Sequence, residues 1–268
     1  MADDLVDDAE TSEEARGWIS KLQKYFDEIY KPMDGGLSTS MGPTLFRYIS
    51  SHFPEVCQPA LEHLPTQILS ASPFYDLLKG FNTDLSFQNS VFPIETEHDL
   101  ETYALQVAGT VAEMCLELVY HHTCSKIGSY DQRKHITNCA SRMGIALQYV
   151  NIARDIQTDA KMKRVYIPTT WLKETGLEPL DVIKSAKGPR IEALRNRLLD
   201  TAFAEYEEAR KAIEELPVDA RAPIRVAVES YMEIGRVLRE KGFAIKKGRA
   251  TVPKSRRLMV ALIALSQG

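Results

Sequence analysis

Residues 131–159 read DQRKHITNCASRMGIALQYVNIARDIQTD. Apolar side chains recur at Ile136, Cys139, Met143, Ala146, Leu147, Val150 and Ala153, mostly three or four apart, the spacing of one helix face. The stretch is therefore predicted to form one long helix, on the order of 40 Å at 1.5 Å per residue. Gln148, Asn151, Asp155 and Asp159 make a polar row on it. A step of four residues turns only about 40° round the axis, so these side chains can converge on one or two ions while the opposite face stays apolar. Any single Asp reads more simply as a solvated residue. The whole row, beside Arg154 and followed by Arg164-Val165-Tyr166-Ile167-Pro168, does not, because charged groups rarely collect on a long apolar helix without a partner.

A second acidic stretch, Asp3-Asp4-Leu5-Val6-Asp7-Asp8, opens the sequence. On a helix Asp3 and Asp7 share a face and form a carboxylate pair. Two such rows facing each other across an apolar bundle would hold hard divalent cations. Mg²⁺ takes oxygen ligands, keeps several waters and is usually bound through one or two carboxylates plus substrate phosphates. The two stretches together suggest a diphosphate site.

Farther out, glycine and proline crowd residues 32–93, at Gly35-Gly36, Gly42-Pro43, Pro54, Pro59, Pro65, Pro73 and Pro93, and predict short pieces there. Helices are expected over 10–30, from a cap at Asp99 through about residue 123, over 169–173 with Gly176 closing it, from Glu178-Pro179, over 188–215 and over 222–241. No period-2 series, repeat or low-complexity segment is present. The expectation is an all-α bundle of seven or more helices, undivided by any linker-like stretch.

With 268 residues, 44% of them hydrophobic, the chain can bury a sizeable core. A net charge of −4 provides no positive field to recruit nucleic acid. Cys57, Cys115, Cys124 and Cys139 show no CxxC or zinc spacing, and the N-terminus shows no signal-peptide pattern. A reduced intracellular location, cytoplasmic or peripheral to a membrane, is expected. The apolar run at 258–265 is far shorter than the roughly 20 residues that cross a bilayer, and 104–120 carries Glu113 and Glu117, so no transmembrane helix is expected.

The string at 147–160, continuing through Arg164-Val165-Tyr166-Ile167-Pro168, resembles the second aspartate-rich motif of squalene and phytoene synthases. Asp3-Asp4-Leu5-Val6-Asp7 is similar to the first. Tyr103, followed by Val107-Ala108-Gly109-Thr110-Val111, resembles the segment between them. Tyr231-Met232-Glu233-Ile234 and Gly248-Arg249-Ala250-Thr251-Val252-Pro253 resemble the C-terminal region in its fungal phytoene synthase version. The resemblance covers essentially all of 1–268 as one head-to-head prenyl synthase domain. It implies a terpenoid-synthase helical bundle with a central cavity, Mg²⁺ with Mn²⁺ as a substitute, and prenyl diphosphate substrates. Carried over residue by residue, it implies metal ligation by Asp3, Asp7, Asn151, Asp155 and Asp159 and diphosphate binding by Gln148, Arg154 and Arg249. Tyr103, Tyr231 and Arg249 would contact diphosphate or the reacting carbons. The leading expectation is phytoene from two geranylgeranyl diphosphates without NADPH, with a membrane surface and downstream carotenoid enzymes as partners. Squalene or dehydrosqualene synthesis from C15 diphosphates is one alternative, and a non-catalytic relative acting as an assembly factor is another.

The family pattern is incomplete. Members normally begin several dozen residues before the first aspartate motif, with early helices and an arginine just before the acids, where this sequence has Met1 and Ala2. The expectation is an N-terminally truncated chain, poorly soluble and weakly active or inactive. Ala104-Leu105-Gln106 follows Tyr103 where the family favours Cys-Tyr-Gly, and Ala112 stands where it favours glycine. The small or aliphatic residues Ala104, Val107, Ala108, Gly109, Val111 and Ala112 read equally as a smooth wall for a polyprenyl chain or as close helix packing. Asp84 reads as a site-flanking acid or a loop cap, and His121-His122 as a helix end. Apart from Arg249, the basic residues at 246–249 and 254–257 read as solvated surface.

Overall fold

The computed structural model describes residues 5–6, 9–31, 42–87, 91–123, 128–240 and 252–266. Asp3, Asp7 and Arg249 lie outside them. Among the described residues every regular element is helical, as the periodicity predicts. The chain packs as two compact units, Met1–Leu85 and Ser86–Gly268, and the division falls at the last residue of a helix, with no linker.

The first unit begins with α1, Ser12–Ile29, where the Thr11 hydroxyl accepts from the Glu14 amide at 3.1 Å. It continues with α2, Pro43–His52, α3, Gln58–Glu62, and α4, Ser72–Ser86. With 15 residues, α4 is longer than the expected short pieces. Pro73 sits at its second position, where a missing N–H is harmless and a fixed φ favours helix, so this proline starts the helix. Asp84 lies within α4, which removes the loop-cap reading. The core is aromatic: Phe26 stacks on Phe74 at 4.8 Å, and the phenols of the buried Tyr25 and half-buried Tyr30 donate to the carbonyls of Leu61 and Leu69 at 2.6 and 2.8 Å. Val6 is buried in this cluster with Leu5 against it, so the apolar pair between the first-motif acids is anchored in the core.

The second unit runs α5, Glu97–Ala104, a π-helical turn, Leu105–Gly109, α6, Thr110–His122, α7, Tyr130–Lys161, α8, Thr169–Glu174, and α9, Pro179–Lys184. There follow α10, Pro189–Ala209, a 3₁₀ turn, Arg210–Glu215, α11, Val218–Leu238, and α12, Lys254–Ser266. The cap of α5 is Thr96, three residues before the expected Asp99. Its hydroxyl accepts from the Asp99 amide at 3.2 Å while Asp99 Oδ2 accepts from the Thr96 amide at 2.8 Å, a reciprocal capping box. Gly176 closes α8 as expected: at φ 69° it lets Leu177 donate to Leu172 O at 2.9 Å and its own amide to Lys173 O at 3.0 Å, the Schellman arrangement. α11 starts four residues earlier than expected, because Pro217 precedes it and Pro223 lies inside.

α7 is the axis of this unit. Its 32 residues extend about 48 Å. The π turn presses on it so closely that a Cβ at Gly144 would lie 2.5 Å from Ala108 O and 2.8 Å from Gly109 Cα. At Ala104 and Gly109, both buried, smallness therefore serves helix packing. On another side the buried Arg195 of α10 donates to Ala153 O at 2.9 Å, and Arg142 of α7 grips Glu205 through two bonds of 2.6 and 3.0 Å.

Candidate active site

α7 and α11 bring five predicted residues into one connected network. Asn151 Nδ2 donates to Gln148 Oε1 at 3.2 Å, one helical turn back. From α11 the Tyr231 hydroxyl donates to Asn151 Oδ1. Arg154 donates from Nε to Asp155 Oδ1 at 2.9 Å, from Nη2 to Asp155 Oδ2, and to the Tyr231 hydroxyl. All five residues are half-buried, a setting in which charge-assisted bonds strengthen. The guanidinium of Arg154 is held above its ordinary pKa chiefly by its bond to Asp155, against the opposing effect of burial.

Asp159 lies one turn beyond, half-buried at the end of α7. Its carbonyl accepts from the Met162 and Arg164 amides at 2.9 Å each, and the chain reverses at Lys163, φ 59°. Asp159 and Arg164 line a cavity of about 10 Å³ with Ile152, Ile156, Tyr166 and Val182, room for roughly one water. Tyr103 is buried in the core, its ring stacked on Tyr166 at 5.0 Å, and Phe87 meets Tyr166 edge-on at 4.9 Å. Tyr166, which the sequence places in the Arg164–Pro168 string without a role of its own, thus packs directly on the predicted site residue Tyr103.

The row fits a hard cation. Asn151 Oδ1 has two lone pairs and gives one to Tyr231. The bidentate contact with Arg154 likewise leaves Asp155 acceptor capacity on both oxygens. Among the described residues no three of His, Cys, Asp and Glu converge, so this row offers two carboxylates and an amide, the kind of set Mg²⁺ completes with water and phosphate. His121 and His122 end α6 with their rings edge to face, in keeping with the helix-end reading. The basic tract needs refinement: Arg256, its side chain about a third exposed, is tied to Glu233 and Glu240.

A family profile described as Squalene/phytoene synthase matches residues 1–256. The chain belongs to the squalene/phytoene synthase family. The bifunctional lycopene cyclase/phytoene synthase of Gibberella fujikuroi is 53% identical over 268 residues, covering 99% of this chain and 45% of that protein. Its namesake in Leptosphaeria maculans is 52% identical over 261 residues, covering 97% and 44%, and that of Neurospora crassa 46% identical over 279 residues, covering 99% and 46%. The chain thus spans less than half the length of these curated relatives. A dehydrosqualene synthase crystal structure in complex with ligand superposes with TM-score 0.70 at 22% identity, over 99% of this chain and 82% of that one. Squalene synthase HpnC from Alicyclobacillus acidocaldarius gives 0.62 at 19% identity, over 90% and 79%. These shared shapes show the terpenoid-synthase helical fold, and the family whose profile matches is one of prenyltransferases. No described helix is long and apolar enough to cross a membrane.

Proposed function

We propose that residues 1–268 act as a phytoene synthase domain, joining two geranylgeranyl diphosphates head to head through prephytoene diphosphate, with Mg²⁺ or in its place Mn²⁺, and without NADPH. The observation that carries this reading is the connected row Gln148, Asn151, Tyr231, Arg154 and Asp155 on the family's second motif. Relatives about half identical over nearly the whole chain that bear phytoene synthase in their names support it.

Asn151, Asp155 and Asp159, with Asp3 and Asp7 of the first motif, would hold the metal, which when bound supplies Lewis-acid assistance to departure of the diphosphate. Arg154 and Arg249 neutralise charge that develops on the departing oxygens. Gln148 and Tyr231 fix the Asn151 amide between them, so its oxygen keeps one orientation. Loss of diphosphate leaves an allylic cation on one substrate, and the 2,3 double bond of the second attacks it to close a cyclopropane with loss of a proton. The second ionisation and rearrangement end in another proton loss. Tyr103 would contact the diphosphate or the reacting carbons, and apolar side chains keep water from the cation. Substrates and product are long hydrocarbons, so a membrane surface and downstream carotenoid enzymes are the partners this chemistry calls for.

Incubation with C15 and C20 diphosphates, with and without NADPH and with Mg²⁺, Mn²⁺ or chelator, tests the reading by product identification. Phytoene from the C20 substrate, lost on chelation, is expected. Product only from C15 diphosphate, or only with NADPH, would transfer the assignment to squalene synthesis. Failure to bind a diphosphate analogue in the presence of metal would favour the assembly-factor reading.

A further inference from the structure

Helices α7 and α8 end in the same closure but with different residues at the turning point. At the end of α8 the left-handed residue is Gly176. At the end of α7 the Arg164 amide donates to Asp159 O at 2.9 Å and the Lys163 amide to Ala160 O at 3.1 Å, again the Schellman pair of bonds. The left-handed residue here is Lys163, φ 59°, the one non-glycine residue with positive φ among the described residues. A Cβ makes that conformation costly, and glycine is the usual occupant because it carries none. Closure of the helix therefore accounts for the turn but not for the lysine.

The helix dipole does not account for it either. A cation gains from the dipole within the last turn, where Lys161 already stands, whereas Lys163 lies past the C-cap residue Met162. Lys163 is exposed, and among the described residues it joins no ion pair. What lies beside it is the acid row. The carbonyl that closes the turn belongs to Asp159, the last carboxylate of that row, and Arg164, which follows Lys163, lines one small cavity with Asp159. A residue held in a sparsely populated backbone conformation beside a site points to a side chain retained for what it binds. The charges around it select the ligand class. Asp155 and Asp159 call for a metal, the metal for a phosphate, and an ammonium on a flexible four-carbon stem is a point charge suited to phosphate oxygens.

We infer that Lys163 is held at this turn to bind the substrate diphosphate, taking its outer oxygens at the Asp159 end of the row. This role rests on the diphosphate reading of the row, and the test separates the two. The whole chain is titrated calorimetrically with inorganic pyrophosphate in the presence of Mg²⁺, at low and at high salt. The parental chain is expected to bind. Lys163→Gln should bind about fivefold more weakly at low salt, with the gap narrowing at high salt, and Lys163→Arg should retain most of the parental affinity. Lys163→Gly should bind as weakly as the glutamine variant yet melt at or above the parental temperature, because glycine relieves the turn. Parental pyrophosphate affinity in Lys163→Gly or Lys163→Gln would overturn the role and leave the row's reading intact. So would a lowered melting temperature in Lys163→Gly, which would assign the lysine to helix closure. A parental chain that fails to bind pyrophosphate with Mg²⁺ would overturn the reading of the row, and the role of Lys163 with it.

Discussion

Asp155 on α7 and Glu233 on α11 are both carboxylates held by arginine, but their partners come from different places. Glu233, with a side chain 6% exposed, accepts from Arg236 one turn along its own helix at 2.9 Å and from Arg256 on α12. Arg236 goes on to Glu229 at 2.8 Å, Glu229 accepts from the Tyr206 hydroxyl, and Arg256 reaches Glu240. That carboxylate ties α11 to α12. Asp155 is 21% exposed, and its ion pair is with the adjacent residue Arg154, so the ion pair itself stays within α7, while Arg154 also donates to Tyr231 on α11. A carboxylate bridged between helices holds the fold, whereas one held by its own neighbour keeps lone pairs available to a ligand.

Substitution should separate the two. Asp155→Asn is expected to lower turnover roughly a thousandfold, about 4 kcal/mol on the barrier, with an unchanged melting temperature. Steady-state kinetics beside a thermal melt checks this, and a variant that unfolds would place Asp155 with Glu233. Glu233→Ala should cost about 3 kcal/mol of stability, the low end for breaking a buried pair, because both guanidinium groups are about a third exposed. Urea unfolding would show it, and an unchanged midpoint would remove Glu233 from its structural role. Gly144→Ala sharpens the contrast from the same helix as Asp155. Its Cβ would meet backbone rather than a flexible side chain, so overpacking of about 2 kcal/mol is expected, again read by urea. Tyr231→Phe removes one bond to Asn151 and should weaken metal-dependent diphosphate binding by about 1 kcal/mol, measurable by calorimetry.

The smallest effect is in pH dependence. Burial, and then the bond to Glu229, pushes the Tyr206 phenol above its ordinary pKa of 10.0. The folded state therefore keeps a proton that the unfolded chain releases, so this contribution is complete below about pH 10 and declines as pH rises beyond it. Melting temperatures at pH 9 and 11 should fall in that order, with a smaller decline in Tyr206→Phe.

Much of this organisation could be read in one dimension. The spacing along 131–159 places a long helix and puts Gln148, Asn151, Asp155 and Asp159 on adjoining turns of one face, because helical period is a property of near neighbours. The same local logic finds α1, α8 with its Gly176 closure, and α9. Where it failed, the competing signal was also local: Pro73 reads as punctuation yet opens a helix, and the expected start at 222 misses the turn that precedes Pro223 in α11. The π turn beside Gly144, the stacking of Tyr103 on Tyr166, the Tyr231 bond to Asn151 and the tie from Arg256 to Glu233 had no such signal. Each joins residues at least 23 positions apart. By itself the sequence determined most of the helices, the family and which residue types stand together in the row at 148–159. Only the tertiary structure decided which carboxylates bind arginine across helices and which are held by a neighbour on their own helix, because that depends on which helix faces pack together, and packing pairs residues that the chain keeps far apart.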